Sequence, residues 1–148
     1  TTLDGSPVRE RGHPGLYAIA DLDASRIDPL DARGLAFFLQ LGWADEDVEP
    51  FEAYVGGGLT YTGLFPTREH DVLGLAVAAA FGGNGLERAV RLDGDRPAAA
   101  ETAVEWTYRA RIQPWLIVQG DVQYVVNPGV RRSRPDALVV GLRFIVDL

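Results

Sequence analysis

The stretch Glu101-Thr102-Ala103-Val104-Glu105-Trp106-Thr107-Tyr108-Arg109-Ala110-Arg111-Ile112 decides the fold. Taken two apart, it separates into Thr102, Val104, Trp106, Tyr108, Ala110 and Ile112 on one side and Glu101, Ala103, Glu105, Thr107, Arg109 and Arg111 on the other. Successive side chains of a strand point to opposite faces, so a strand keeps these sets apart. A helix would mix them on every side.

The same alternation runs outward from this segment. Leu116, Val118, Val122, Tyr124 and Val126 share a face with Gly120, against Gln119, Asp121 and Gln123. Leu138, Val140, Leu142, Phe144 and Val146 oppose Gly141, Arg143 and Asp147. Leu35, Phe37, Leu39, Leu41 and Trp43 oppose Gly34, Ala36, Phe38, Gln40 and Gly42. Residues 51–62 and 72–82 are Gly-rich and also alternate, and Leu16, Ala18, Ala20 and Leu22 face away from Asp21 and Asp23. The pattern predicts about seven strands of roughly 8 to 12 residues. Gln113-Pro114 marks a tight turn, while residues 83–99 and 127–135 read as polar loops. The chain is expected to form one domain over residues 1–148, without linker or low-complexity tract.

Two architectures fit. A soluble β-sandwich or lipocalin-like binding module uses short strands and turns its apolar face inward. A transmembrane barrel uses strands of about 9 to 11 residues, with the apolar face toward lipid and the polar face toward a wet lumen. Strand length favours the barrel. So does the placement of aromatics when the chain end is put on the periplasmic side. Trp43, Phe51, Phe81 and Tyr124 then fall near the outer rim, and Tyr61, Tyr108 and Phe144 toward the inner one, as in an aromatic girdle. The two architectures differ in one observable: in the barrel Trp106, Tyr108 and Leu142 face outward, and in the sandwich they are packed in a dry centre.

Composition narrows the function. With 148 residues, a net charge of −7 and no lysine, the chain lacks the clustered positive charge that nucleic acid requires. Arg131, Arg132 and Arg134 are too short a basic run to change that. The longest nearly apolar run, residues 72–81, is too short for a membrane helix, which needs about 20 residues. No cysteine is present, so disulfides, thiolate metal sites and cysteine nucleophiles are excluded. The chain begins at Thr1, and any targeting segment is expected upstream.

Several stretches resemble the carbohydrate-selective porin family (OprB-type): Gly15-Leu16-Tyr17-Ala18-Ile19-Ala20-Asp21, Arg33-Gly34-Leu35-Ala36-Phe37-Phe38-Leu39, Tyr61-Thr62-Gly63-Leu64-Phe65-Pro66, Asp71-Val72-Leu73-Gly74-Leu75-Ala76-Val77, Pro114-Trp115-Leu116 and Gln123-Tyr124-Val125-Val126-Asn127-Pro128-Gly129. They follow the family's order over about residues 13–146. The resemblance implies an all-β, transmembrane antiparallel barrel of about sixteen strands, of which this chain is the C-terminal portion. It implies passive, carbohydrate-selective diffusion of sugars such as glucose across a Gram-negative outer membrane. Membrane lipid and lipopolysaccharide are the implied surroundings, and a homo-oligomer, a trimer by analogy, the implied assembly. No enzyme activity and no cofactor are implied. Two departures stand out: Leu22 follows the Ala-Asp pair where a polar residue is expected, and Leu148 stands where such barrels usually end in an aromatic. About seven strands alone would leave open backbone edges in hydrocarbon, each unpaired group costing several kcal/mol. Strands upstream, or closure into a narrower barrel, are therefore expected.

A neutral sugar presents hydroxyls and a flat ring face, so its pore needs hydrogen-bonding side chains and an apolar surface. The residues expected to face the lumen and meet solute are Glu101, Glu105, Arg109, Arg111, Gln119, Asp121, Gln123 and Arg143. Opposite charges on adjacent strands, Glu105 or Asp121 with Arg109 or Arg111, are expected to hold each other. The constriction loop of such pores is expected to lie outside this chain. Other motifs carry little chemistry. His13 and His70 are far apart and lack further ligands for a metal. Ser6, Ser25 and Ser133 have no nucleophile-elbow context. Gly56-Gly57-Gly58 has no following Gly-Lys-Ser/Thr and instead allows bending or close packing. Asp45-Glu46-Asp47 lacks the rest of an EF-hand. Glu101 and Glu105 lie about 13 Å apart along a strand, too far for either glycosidase geometry.

Overall fold

In the computed structural model, which describes residues 14–24, 33–46 and 49–147, the alternating segments form seven strands. They are β1 (Gly15–Asp23), β2 (Gly34–Ala44), β3 (Phe51–Thr62), β4 (Val72–Gly82), β5 (Ala100–Gln113), β6 (Leu116–Val126) and β7 (Ala137–Val146), with one helix, α1 (Asn84–Leu92), between β4 and β5. Each strand pairs antiparallel with the next, in the order β1-β2-β3-β4-β5-β6-β7. In the described sheet β1 and β7 are edges and do not pair with each other, so the described strands do not close into a narrower barrel. The remarks on Ser6, His13, Ser25, Asp47 and Leu148 fall outside the described residues.

Register turns the alternation into two faces. Leu75, Trp106, Val122 and Val140 are consecutive partners in one row, and Ala76, Glu105, Gln123 and Val139 in the adjacent row on the opposite face. Trp106 is 62% exposed and Leu142 65% exposed, so the middle of the apolar face lies bare, while at its end beside Asp71 Tyr108 is half-buried against Phe65 and Ala110 is buried. A sandwich would have buried Trp106 and Leu142. Bulges at Phe51/Ala53 and Arg111/Gln113 shift the register at two strand ends.

The connections differ at the two ends. At one, here the turn end, β5 and β6 are joined by the two-residue turn 114–115 and β3 and β4 by the connection 63–71. The other, the loop end, carries α1 and the segment 127–136. The helix corrects the expectation of a polar loop over residues 83–99. Leu86 and Val90 lie one turn apart, and Arg91 pairs with Glu87 at 3.0 Å, the i, i+4 spacing of a helix. Val90 and Val130 are fully buried there. Val130 has φ 58°, which costs a β-branched residue about 1–3 kcal/mol. Two hydrogen bonds hold it: Val130 N–H donates to the Asn127 carbonyl at 2.9 Å, and its own carbonyl accepts from Ala98 N–H at 2.9 Å.

Aromatics mark both ends of the apolar face. Trp43 and Phe81 both pair with Ala53 near the loop end, and Tyr61 shares a row with Leu73 and Tyr108 near the turn end. The bulge displaces Phe51 from the regular row. At each end a tyrosine hydroxyl on this face donates to an aspartate of the adjoining connection. Tyr108 reaches Asp71 at 2.6 Å, and Tyr124 reaches Asp136 at 2.7 Å. Aromatics at membrane interfaces keep an apolar body in lipid and a polar tip in water, and these tips have fixed acceptors.

Candidate functional site

The polar face is built in rows by the register. Toward the turn end, Thr62, Val72, Arg109, Gln119 and Arg143 are consecutive partners. Next come Thr60, Gly74, Thr107, Asp121 and Gly141. The third row runs Phe38, Gly58, Ala76, Glu105, Gln123 and Val139. Arg111 lies on β5 one step beyond Arg109, and Glu101 pairs with Ala80 toward the loop end. All eight residues expected to meet solute therefore share one face. They are segregated by level: Glu101, Glu105 and Asp121 sit toward the loop end, and Arg109, Arg111 and Arg143 toward the turn end.

That segregation overturns the expected cross-strand charge pairs. Glu105 and Arg109 are four residues apart on one strand, about 13 Å, and Glu105 stands opposite Gln123, whose amide donates to its carboxylate. Glu101 accepts from Gly129 N–H at 2.6 Å, which anchors the segment between β6 and β7. Among the described residues, no ion pair includes Arg109, Arg111, Arg143 or Asp121.

Glycines keep this face low. A Cβ at Gly56 would lie 2.5 Å from the Tyr54 hydroxyl, and one at Gly58 would lie 2.7 Å from the Phe38 ring and 2.5 Å from the Leu75 carbonyl oxygen. A Cβ at Gly74 would strike the Thr107 hydroxyl, and one at Gly141 the Asp121 carboxylate. Each neighbour lies flat along the wall over a missing side chain. The result is a concavity of about 290 Å³ with Phe38 and Tyr54 on one side, Ala76, Ala78 and Ala103 as floor, and the Glu105–Gln123 pair on the other. An aromatic face, a small floor and a polar pair are the elements a neutral ring with hydroxyls needs. Phe38 and Tyr54 were not picked out from sequence as contact residues, although the parity of β2 already placed Phe38 on the polar face. We expect Gly58→Ala to cost about 1–2 kcal/mol, because backbone, not a flexible side chain, blocks one side. The midpoint of urea unfolding in lipid checks it; an unchanged midpoint would show that β3 can shift to make room.

A second concavity, of about 370 Å³, lies at the turn end, lined by Thr62, His70, Val72, Arg109, Arg111, Pro114, Ile117 and Asp147. Folding brings His70, which the sequence shows only as lacking further ligands for a metal, beside two arginines of the polar face.

Comparison with known proteins agrees with this geometry. The family model described as carbohydrate-selective porin, OprB family, matches residues 2–148. Porin B of Pseudomonas aeruginosa is 26% identical over 155 aligned residues, covering 95% of this chain and 34% of that protein. The high-pH structure of Pseudomonas putida OprB superposes with a TM-score of 0.78 at 26% identity, over 89% of this chain and 34% of that one. The chain spans about a third of the length of the relatives it matches.

Proposed function

The chain belongs to the carbohydrate-selective porin, OprB family, and from that premise we propose that it forms part of the wall of an outer-membrane pore through which sugars diffuse passively. The exposed apolar face meets lipid and lipopolysaccharide of a Gram-negative outer membrane. The polar face lines the water-filled lumen. No chemistry is performed on the solute; the wall offers contacts and lets go. The observation that carries this reading is the row in which Phe38 lies over Gly58 and Glu105 holds Gln123 across a floor of alanines.

Phe38 offers its ring to the apolar face of a pyranose. Glu105 and Gln123 bond each other yet keep further lone pairs and an amide N–H for hydroxyls. Such contacts suit transport, because a site must be favourable enough to enter and weak enough to leave. Liposomes holding the full-length protein should swell in glucose or arabinose faster than protein-free vesicles; equal rates would reject the pore. Glu105→Ala and Phe38→Ala should each slow glucose entry by about threefold, the worth of one modest contact. Leu142→Ala, on the lipid face, serves as the control, and equal slowing there would remove the special role of this row.

A further inference from the structure

We infer that the arginines at the turn end of the lumen form an anion subsite, so that this pore holds sugars bearing a carboxylate more tightly than neutral sugars. The inference rests on the pore-wall reading and adds a solute class to it.

Arg109 and Arg143 flank Gln119 in one row, two strand spacings or about 9.6 Å apart. Arg111 lies on the same face as Arg109, about 7 Å along β5. Arg109 and Arg111 share their concavity with His70. The carboxylates that could neutralise them are engaged elsewhere: Glu105 with Gln123, Glu101 with Gly129, and Asp71 with Arg68 and Tyr108. Asp121 lies over Gly141, one row toward the loop end. Only Asp147 shares the concavity. By formal charge Arg109, Arg111 and Asp147 leave a single positive charge, which matches a monoanionic carboxylate better than a dianionic phosphate. Guanidinium forks accept a carboxylate in two parallel hydrogen bonds, and the hydroxyls of the same solute can turn to Gln119 and Thr62.

The test is blockade of ion current through the full-length protein in a planar bilayer, with glucose and glucuronate as probes. In about 0.1 M salt, glucuronate should half-block at a concentration about fivefold below that of glucose, the worth of about 1 kcal/mol in a wet site. In R109Q/R111Q that ratio should fall to near one. Should the double variant fail to assemble, the wild-type protein in about 1 M salt decides, because screening should bring the ratio toward one. Equal half-block concentrations in the wild type, or a ratio indifferent to both the variant and the salt, would overturn the subsite. Glucose that neither blocks nor swells vesicles would defeat the sugar-pore reading instead; a glucuronate block lost in R109Q/R111Q would still uphold the anion subsite.

Discussion

Val140→Arg should destabilise the membrane-embedded protein by about 2–4 kcal/mol, while Val139→Arg, its immediate neighbour, should change stability by no more than about 0.5 kcal/mol. The contrast follows from one pleat. Val140 stands mid-strand on β7 in the row of Trp106 and Val122, and is 72% exposed on the apolar face. An arginine there must keep its charge in hydrocarbon, where no water satisfies the guanidinium, and is too far from either interface to reach it freely. Val139 is on the other face, opposite Gln123. An arginine there enters the lumen, among polar side chains and water. Unfolding of the full-length protein by urea in phospholipid vesicles measures both. Equal penalties, or the larger one at Val139, would mean that the polar and apolar faces have been assigned the wrong way round. The experiment thus tests the single premise on which the sugar contacts and the anion subsite both stand.

Much of this was legible in the sequence because period two fixes faces without knowledge of partners. Glu105 and Trp106 must part company in any strand, and the tight turn read at Gln113-Pro114 makes β5 and β6 neighbours. What alternation does not specify is who stands opposite whom. The parity that put Glu105 and Arg109 on one face suggested attraction between acid and base. Register gave Glu105 to Gln123, set Arg109 and Arg143 on either side of Gln119, and put Arg111 one step further along the same face. The ledge formed by Phe38 over Gly58 likewise needs the β2–β3 register, since nothing in either segment alone sets that ring against that glycine. Helix α1 was missed for a different reason. Gly82, Gly83, Gly94 and Pro97 surround it with breakers, and nine residues carry only about two turns of periodicity. Yet Leu86 with Val90, and Glu87 with Arg91, were the helical signal.

Asp71 is the other position where one substitution should be costly, and its expected effect carries a pH signature. The side chain is 3% exposed, in the connection between β3 and β4. It accepts from Arg68 Nε at 2.6 Å, the Tyr108 hydroxyl at 2.6 Å and Arg111 N–H at 2.9 Å, and so ties the connection to β5 beside its bulge. The Phe65 ring meets Tyr108 edge-on at 6.3 Å and shields the knot. Asp71→Ala strands three donors at once and should cost about 3 kcal/mol. Asp71→Asn, which keeps one acceptor, should cost less. Burial pushes the Asp71 carboxyl up, but the hydrogen bonds from Tyr108, Arg68 and Arg111, with the charge of Arg68, more than offset this and hold it below its ordinary value of 3.8. A depressed carboxyl stabilises the fold above its unfolded value and loses that contribution as pH falls through the folded one. The stability difference between wild type and Asp71→Asn should therefore be flat from about pH 7 to 5 and shrink only below the ordinary carboxylate range. Parallel urea titrations across that range measure the difference with every other group common to both proteins. A difference that already shrinks near neutrality, or grows toward acid, would mean that the aspartate is not held ionised by its three donors.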